Sequence, residues 1–320
     1  VCNGYSGRKG KIMDSSFYII GPVIGFIGMM SGGYWGVGCG WIVVPTMLIL
    51  GCDPIQAVGI GLLQMVPSTI LTVSKQASQI GWTKGAPGFS LALPIGAGAA
   101  VTSLFGKTIN AQLIAVIGDA RWLQWMLIVI IAVIICQTLG SRTACYNDEM
   151  PLITAAESRI AFVMGLVTGI VSSMLGVGGG LLIRPLLTSG FKVPDYYTSR
   201  IVRLLVLVTT VTGGATYLIA RGGFDWHVFA ISMLVALGGV FGFPLGAKLH
   251  TIVYDSGYAQ HIHKSFAVVA IAVLANTLLN MYGHAELSRY LMLTIAAGLV
   301  LYLTGFTLYA KKNPRPWGRL

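Results

Sequence analysis

The chain has 320 residues, of which 55% are hydrophobic and only 10% charged. A soluble domain carries about 25% charged residues, so this composition excludes a water-soluble globule. The formal net charge of +11 does not point to nucleic acid: the basic residues sit in short loops and in the tail Lys311, Lys312, Arg315 and Arg319, which the positive-inside bias turns toward the cytoplasm.

In chain order, residues 1–12 read as a non-native or disordered N-terminus. Met13 is followed by Asp14 and at once by an apolar run, so translation is expected to begin at Met13, with no cleavable signal peptide. Charge-free stretches then lie between Asp14 and Asp53, Asp53 and Lys75, Lys84 and Lys107, Arg121 and Arg142, Arg159 and Arg184, Arg203 and Arg221, Asp225 and Lys248, Lys264 and Glu286, and Arg289 and Lys311. Stretches near 20 residues cross a bilayer as helix, and the alternating pattern of a β-barrel is absent. The expected class is an all-α polytopic integral membrane protein.

The chain is written twice. Shifted by 140 residues without a gap, Gly25, Gly36, Val37, Gly38, Gly40 and Pro45 fall on Gly165, Gly176, Val177, Gly178, Gly180 and Pro185. The register continues through Pro54/Pro194, Val66/Val206, Thr69/Thr209, Thr72/Thr212, Phe89/Phe229, Gly98/Gly238 and Gly106/Gly246. The expected division is repeat 1 at 16–141, a polar linker at 142–159 with Asn147, Asp148 and Glu149, repeat 2 at 160–284, an extra transmembrane helix at 286–310, and a basic cytoplasmic tail at 311–320.

Each repeat opens on a segment too long for one plain crossing. Ser16 to Gly51 is 36 residues, about 54 Å as straight helix, against a hydrocarbon core of about 30 Å. The glycines at 32–40 and 176–180 mark where the helix breaks. The segment is either one crossing with an unwound centre or a helical hairpin. With a hairpin, eleven loop or tail Lys/Arg fall inside and four outside; with a single crossing the split is nine to six. The hairpin therefore fits the charge rule better and implies five-crossing repeats of inverted orientation.

Irregular backbone at membrane depth is tolerated only where it is buried in protein or lines a cavity. Paired broken helices point to a transporter's substrate site, and the helix starts near Trp41 and Leu181 present free N–H groups suited to an anion. The candidate site residues are therefore Gly36, Gly38, Cys39 and Gly40 with Gly176, Gly178, Gly179 and Gly180. Close packing through small residues is the alternative reading. Arg184 lies in an apolar helix start, and Arg200 and Arg203 share a face one turn apart, so all three are candidates for an oxyanion. Their counterparts are Val44, Ile60 and Leu63, which confines the basic cluster to repeat 2. For Arg200 and Arg203 the alternative is snorkelling to the interface; for Arg184 a backbone carbonyl could serve in place of an anion. Thr69, Thr72, Thr209 and Thr212 are duplicated hydroxyls that bond either ligand oxygens or their own helix, and Gln64 and Ser68 add polar groups beside them. Cys39 stands where the other motif has glycine, as a thiol near the ligand or as inert packing. His250, His261 and His263 are expected in a solvated loop, and the five cysteines show no CxxC spacing.

These motifs resemble the sulfite exporter TauE/SafE family of membrane anion transporters. The likeness rests on the Gly-rich motif ending in Pro45 and Pro185, on helices that begin after Asp53-Pro54 and Pro194-Asp195, and on small-residue helix ends at Phe105-Gly106-Lys107 and Leu245-Gly246-Ala247-Lys248. It implies a multi-pass protein of the inner (cytoplasmic) membrane that exports sulfite or an organosulfonate. The residues by themselves imply a small anion. No Walker motif is present, and paired carboxylates, HExxH and GxSxG are absent from the spans, so a secondary transporter is expected rather than an enzyme, without cofactor or metal. The alternative is a non-transporting subunit that anchors a sulfur-metabolism complex. Expected partners are the anion, membrane lipid and either a second copy or a membrane complex, and no nucleic acid.

Overall fold

The computed structural model describes residues 17–83, 86–119, 121–140, 153–220 and 223–315. The N-terminal segment, the start at Met13, most of the linker, and Lys84, Arg221 and Arg319 lie outside the described residues.

The helices follow the apolar runs. In the first half they are α1 (Phe17–Trp35), α2 (Gly40–Ile49), α3 (Pro54–Leu63), α4 (Val66–Gln76), α5 (Leu93–Ser103), α6 (Gly106–Ile117) and α7 (Arg121–Gly140). In the second they are α8 (Ala155–Leu175), α9 (Gly180–Pro185, extended by a π-helical turn over Leu186–Gly190), α10 (Asp195–Tyr217), α11 (Trp226–Asp255) and α12 (Ala259–Met281). The last helix is α13 (Ala285–Lys312). Two-residue strands, β1 (Ile219–Ala220) and β2 (Gly223–Phe224), pair antiparallel between α10 and α11. Among the described residues six helical units are long and apolar enough to cross a membrane, and the bent pair α5–α6 raises this to seven. The protein is a polytopic all-α membrane protein.

Local chemistry places the helix ends. Asp53 accepts from the Ile55 N–H and is followed by Pro54 at the first helical position, where its missing donor costs nothing. Thr154 and Glu157 form a capping box at the start of α8, and Asp225 caps α11 through the Val228 N–H. α3 and α4 are separated at Gln64-Met65, because Pro67 has no N–H and its ring crowds the preceding turn; Leu207 stands at the matching place and α10 runs through. The small-residue motif at Gly106 and Gly246 behaves differently in the two halves. At Gly106 the helix bends by 45°, whereas α11 continues unbroken past Gly246, which corrects the expected helix end there. Ser103 donates back to the Ala100 carbonyl, and the Thr102 hydroxyl lies between the Gly98 carbonyl of its own helix and the Leu166 carbonyl of α8, pairings that bend helices; Gly242 and Phe243, at the matching positions, have no hydroxyl.

The 140-residue offset recurs in the contacts. A Cβ at Gly25 would lie 1.7 Å from the Val235 oxygen, and one at Gly165 would lie 2.2 Å from that of Ile95. Gly238 meets Pro22 and Phe26, while Gly98 meets Phe162 and Leu166. α1 thus packs parallel to α11, and α8 parallel to α5, at backbone-to-backbone distance. The α3–α4 unit and α10, which match under the same shift, cross antiparallel: Gly59 lies on Tyr217, Leu63 on Gly214 and Gln76 on Arg203. Within the first half, Gly28 faces Val43 and Gly32 faces Gly38. A straight helix would hold residues 28 and 43 about 22 Å apart, so the chain turns back on itself at 36–39.

The α1–α11 seam predicts a sharp positional contrast. Gly238→Ala would put a Cβ 1.7 Å from the Pro22 oxygen, whereas nothing lies within 4 Å of a Cβ at Gly298 on α13. Overpacking of this kind costs about 1–3 kcal/mol or more. Thermal unfolding in detergent should show a clear fall for Gly238→Ala and none for Gly298→Ala.

Candidate functional site

The two Gly-rich breaks touch. A Cβ on Gly40 would fall 1.9 Å from the Gly176 carbonyl oxygen, and one on Gly180 would fall 2.7 Å from that of Val37. Gly36, Gly38, Gly176, Gly178 and Gly179 all hold φ between +69° and +83°, where a side chain is disfavoured. Cys39 is the informative exception. Its φ is −123°, while Gly179 at the matching place has +72°, so only the first break can carry a side chain there.

The breaks leave backbone donors uncommitted. Among the described residues no backbone acceptor takes the N–H of Gly38, Gly40 or Trp41, nor that of Gly178, Gly179 or Leu181. Neither α2 nor α9 has a side-chain cap. All these positions are buried, and buried unsatisfied N–H groups are rare. The N-terminus of the ten-residue α2 therefore offers buried donors and a partial positive charge.

Side chains from four elements close over this junction. Cys39 is fully buried; its Sγ lies 2.9 Å from Met29 Sδ and accepts from Gln64 Nε2 at 2.8 Å. Met65 reaches both Gly38 and Gly178. The Thr209 hydroxyl donates within α10 and lies 3.1 Å from the Gly178 carbonyl oxygen. Thr69, Thr72 and Thr212 likewise bond carbonyls of their own helices. These hydroxyls are thus engaged by backbone carbonyls, and that of Thr212 also pairs with the Ser103 hydroxyl at 2.5 Å.

The three arginines are separately engaged. Arg184, 8% exposed, donates Nη1 to the Trp35 carbonyl at the C-terminal end of α1, against Gly36. A guanidinium suits that partial negative charge. Beside it, His250 Nδ1 sits 2.6 Å from the Tyr34 carbonyl oxygen. His250 belongs to α11 and His261 to α12, and both are half-buried, which corrects the expected solvated loop. The side chain of His263 lies outside the described residues. Arg200 donates to Gln79 at 2.9 Å and Arg203 to Gln76 at 2.7 Å, and Arg203 lies over the Phe243 ring.

Residues 21–277 match the sequence model of a family described as sulfite exporter TauE/SafE. The chain belongs to the TauE/SafE family. A probable membrane transporter protein of Methanocaldococcus jannaschii is 24% identical over 285 residues, covering 85% of this chain and 97% of its own length. No solved structure matches. As a member of this family the protein is a membrane transporter, and it is multi-pass.

Within this TauE/SafE chain the structure brings the eight motif residues into one cluster, together with Thr209. Arg184 sits at its edge, and Arg200 and Arg203 lie farther along α10. Sequence reasoning passed over Met29, Met65 and the carbonyl role of His250. The last follows the duplication once the contacts are known: His250 lies 140 residues beyond Asn110, whose Nδ2 bonds the Met174 carbonyl oxygen as His250 bonds that of Tyr34. Losing the Arg184 contact should cost about 1.5–3 kcal/mol, typical of a hydrogen bond from a charged group. Arg184→Met should show it as a lowered melting temperature in detergent, with Arg184→Lys between Met and the parent.

Proposed function

We propose that the protein is a secondary transporter that exports a small sulfur-containing anion, sulfite or an organosulfonate, across the cytoplasmic membrane, and that the paired Gly-rich breaks hold the anion in transit. One observation carries the reading: buried, uncommitted backbone donors at the start of α2 meet the matching break of the other half. Such donors favour negative charge, and broken helices at a repeat interface are where transporters hold substrates. The sulfur anion itself rests on the family to which the chain belongs.

The antiparallel crossing of α3–α4 with α10 supports reading the halves as inverted repeats: only a two-fold axis perpendicular to these helices relates equivalent helices that run in opposite directions. In that arrangement one break can open to each side in turn. The charge is uneven about this axis. Arg184, Arg200, Arg203 and His250 gather near the ends of α1, α4 and α10, the side that also holds Lys75, Lys192 and Lys248 and that the positive-inside rule assigns to the cytoplasm. A basic vestibule there collects anions from the cell. An inside-negative potential then favours their exit by about 2.3 kcal/mol per charge per 100 mV, so export needs no coupled ion.

The test is flux in proteoliposomes with a panel of sulfite, methanesulfonate, sulfate and chloride. Sulfite or the sulfonate should exceed protein-free vesicles and rise with an inside-negative potential. Gly40→Val, which fills the junction, should abolish it. Arg203→Gln should slow it several-fold at low ionic strength and less at high salt. Flux of chloride alone, or of nothing in the panel, overturns the reading.

A further inference from the structure

Gln64, in contact with Cys39 at the junction, is a polar side chain with an unanswered atom. It is wholly buried, at the interruption between α3 and α4. Its Nε2 is committed twice, to Cys39 Sγ at 2.8 Å and to the Gly61 carbonyl oxygen at 3.2 Å. A carbonyl can only accept, so this second bond fixes which end of the amide carries the protons. Its Oε1 then points away from both and has no partner among the described residues. Gly239 of α11 stands near it, where a Cβ would lie 3.8 Å from Oε1, so this position of α11 brings no polar side chain to the oxygen. The matching residue of the second half is Leu204, which makes the amide a singular feature and not part of the duplicated scaffold.

We propose that Gln64 determines the specificity of this site by accepting a hydrogen bond from the transported anion, so that the ion carried is a monoanion that keeps a proton. This rests on the transport reading above. The backbone donors at the start of α2 recognise the charged oxygens, and Gln64 Oε1 recognises the hydrogen. A fully deprotonated oxyanion would meet Oε1 lone pair to lone pair. An ion of equal charge with a methyl group in place of the proton would leave the buried acceptor unpaired, and sites built around a substrate donor discriminate strongly against analogues that lack it. The Cys39 thiol and Gly61 carbonyl hold the amide in place, so Cys39 acts here as a positioning residue.

The experiment compares hydrogen sulfite with methanesulfonate, which share a single charge and three oxygens on sulfur, but only hydrogen sulfite carries an O–H donor. Flux is measured in proteoliposomes at a mildly acidic pH, after subtracting protein-free vesicles. The parent protein should carry hydrogen sulfite about tenfold faster or more. In Gln64→Met, with folding verified by thermal unfolding, the ratio should fall to within about twofold; Gln64→Asn, which keeps an amide, should retain part of the preference. Equal flux of both ions in the parent overturns the inference even if no variant folds. A parental ratio in Gln64→Met overturns it too, since water alone then satisfies the acceptor. Absence of flux for both ions is a different failure, that of the transport reading itself.

Discussion

A helix that stops inside a packed protein leaves backbone donors and acceptors with no water to meet them, and this chain stops two helices at buried breaks. The constraint is met by placing the two interruptions against each other. Gly40 packs on the Gly176 carbonyl and Gly180 on that of Val37, at separations no side chain would permit. The glycines at these places are consequences of the contact: Gly176 holds left-handed backbone, and Gly40 and Gly180 give way to a carbonyl. The rest of the molecule arranges itself around that junction, with α1 on α11 and α8 on α5 as flanking seams and the α3–α4 unit crossing α10 over it.

The scaffold is duplicated, but its polar chemistry is not. A carbonyl at the end of α8 is taken by the neutral amide of Asn110, and the matching carbonyl at the end of α1 by the imidazole of His250. Val44 packs against Gly176 where Arg184 packs against Gly36. The ends of both helices need donors, since their last carbonyls have no partner within the helix. Only one of the two is also met by a guanidinium, that of Arg184 on the Trp35 carbonyl, so a symmetric fold carries an asymmetric field. Gln64 extends the pattern: Pro67 interrupts its helix, Leu207 does not, and the amide stands where the other half has an aliphatic chain.

Much of this could be read before any fold was known. Apolar runs without charge mark the helices, because lipid tolerates few charged groups. Asp53-Pro54 and Pro194 mark helix starts, and the glycines at 36–40 and 176–180 mark the breaks, because capping and positive φ are local chemistry. The partner of Arg184 was not readable in the same way. An anion and a backbone carbonyl were both open as its partner, and the Trp35 carbonyl that receives it lies 149 residues away. Nor was the bend at Gly106 and its absence at Gly246, since hydroxyls a few residues upstream decide it rather than the shared glycine.

By itself the sequence determined the class, the helices, the position of each break and the 140-residue duplication, all of which follow from interactions within a turn or two of chain or from the cost of charge in lipid. Only the tertiary structure decided that the two breaks meet, that α3–α4 and α10 run antiparallel, and that His250 and Arg184 end on the carbonyls of α1. It also decided that the Gln64 amide turns its protons to Cys39 and leaves its oxygen over. Those outcomes depend on which helix lies beside which, and residues far apart in the chain have no local pattern that records their contact.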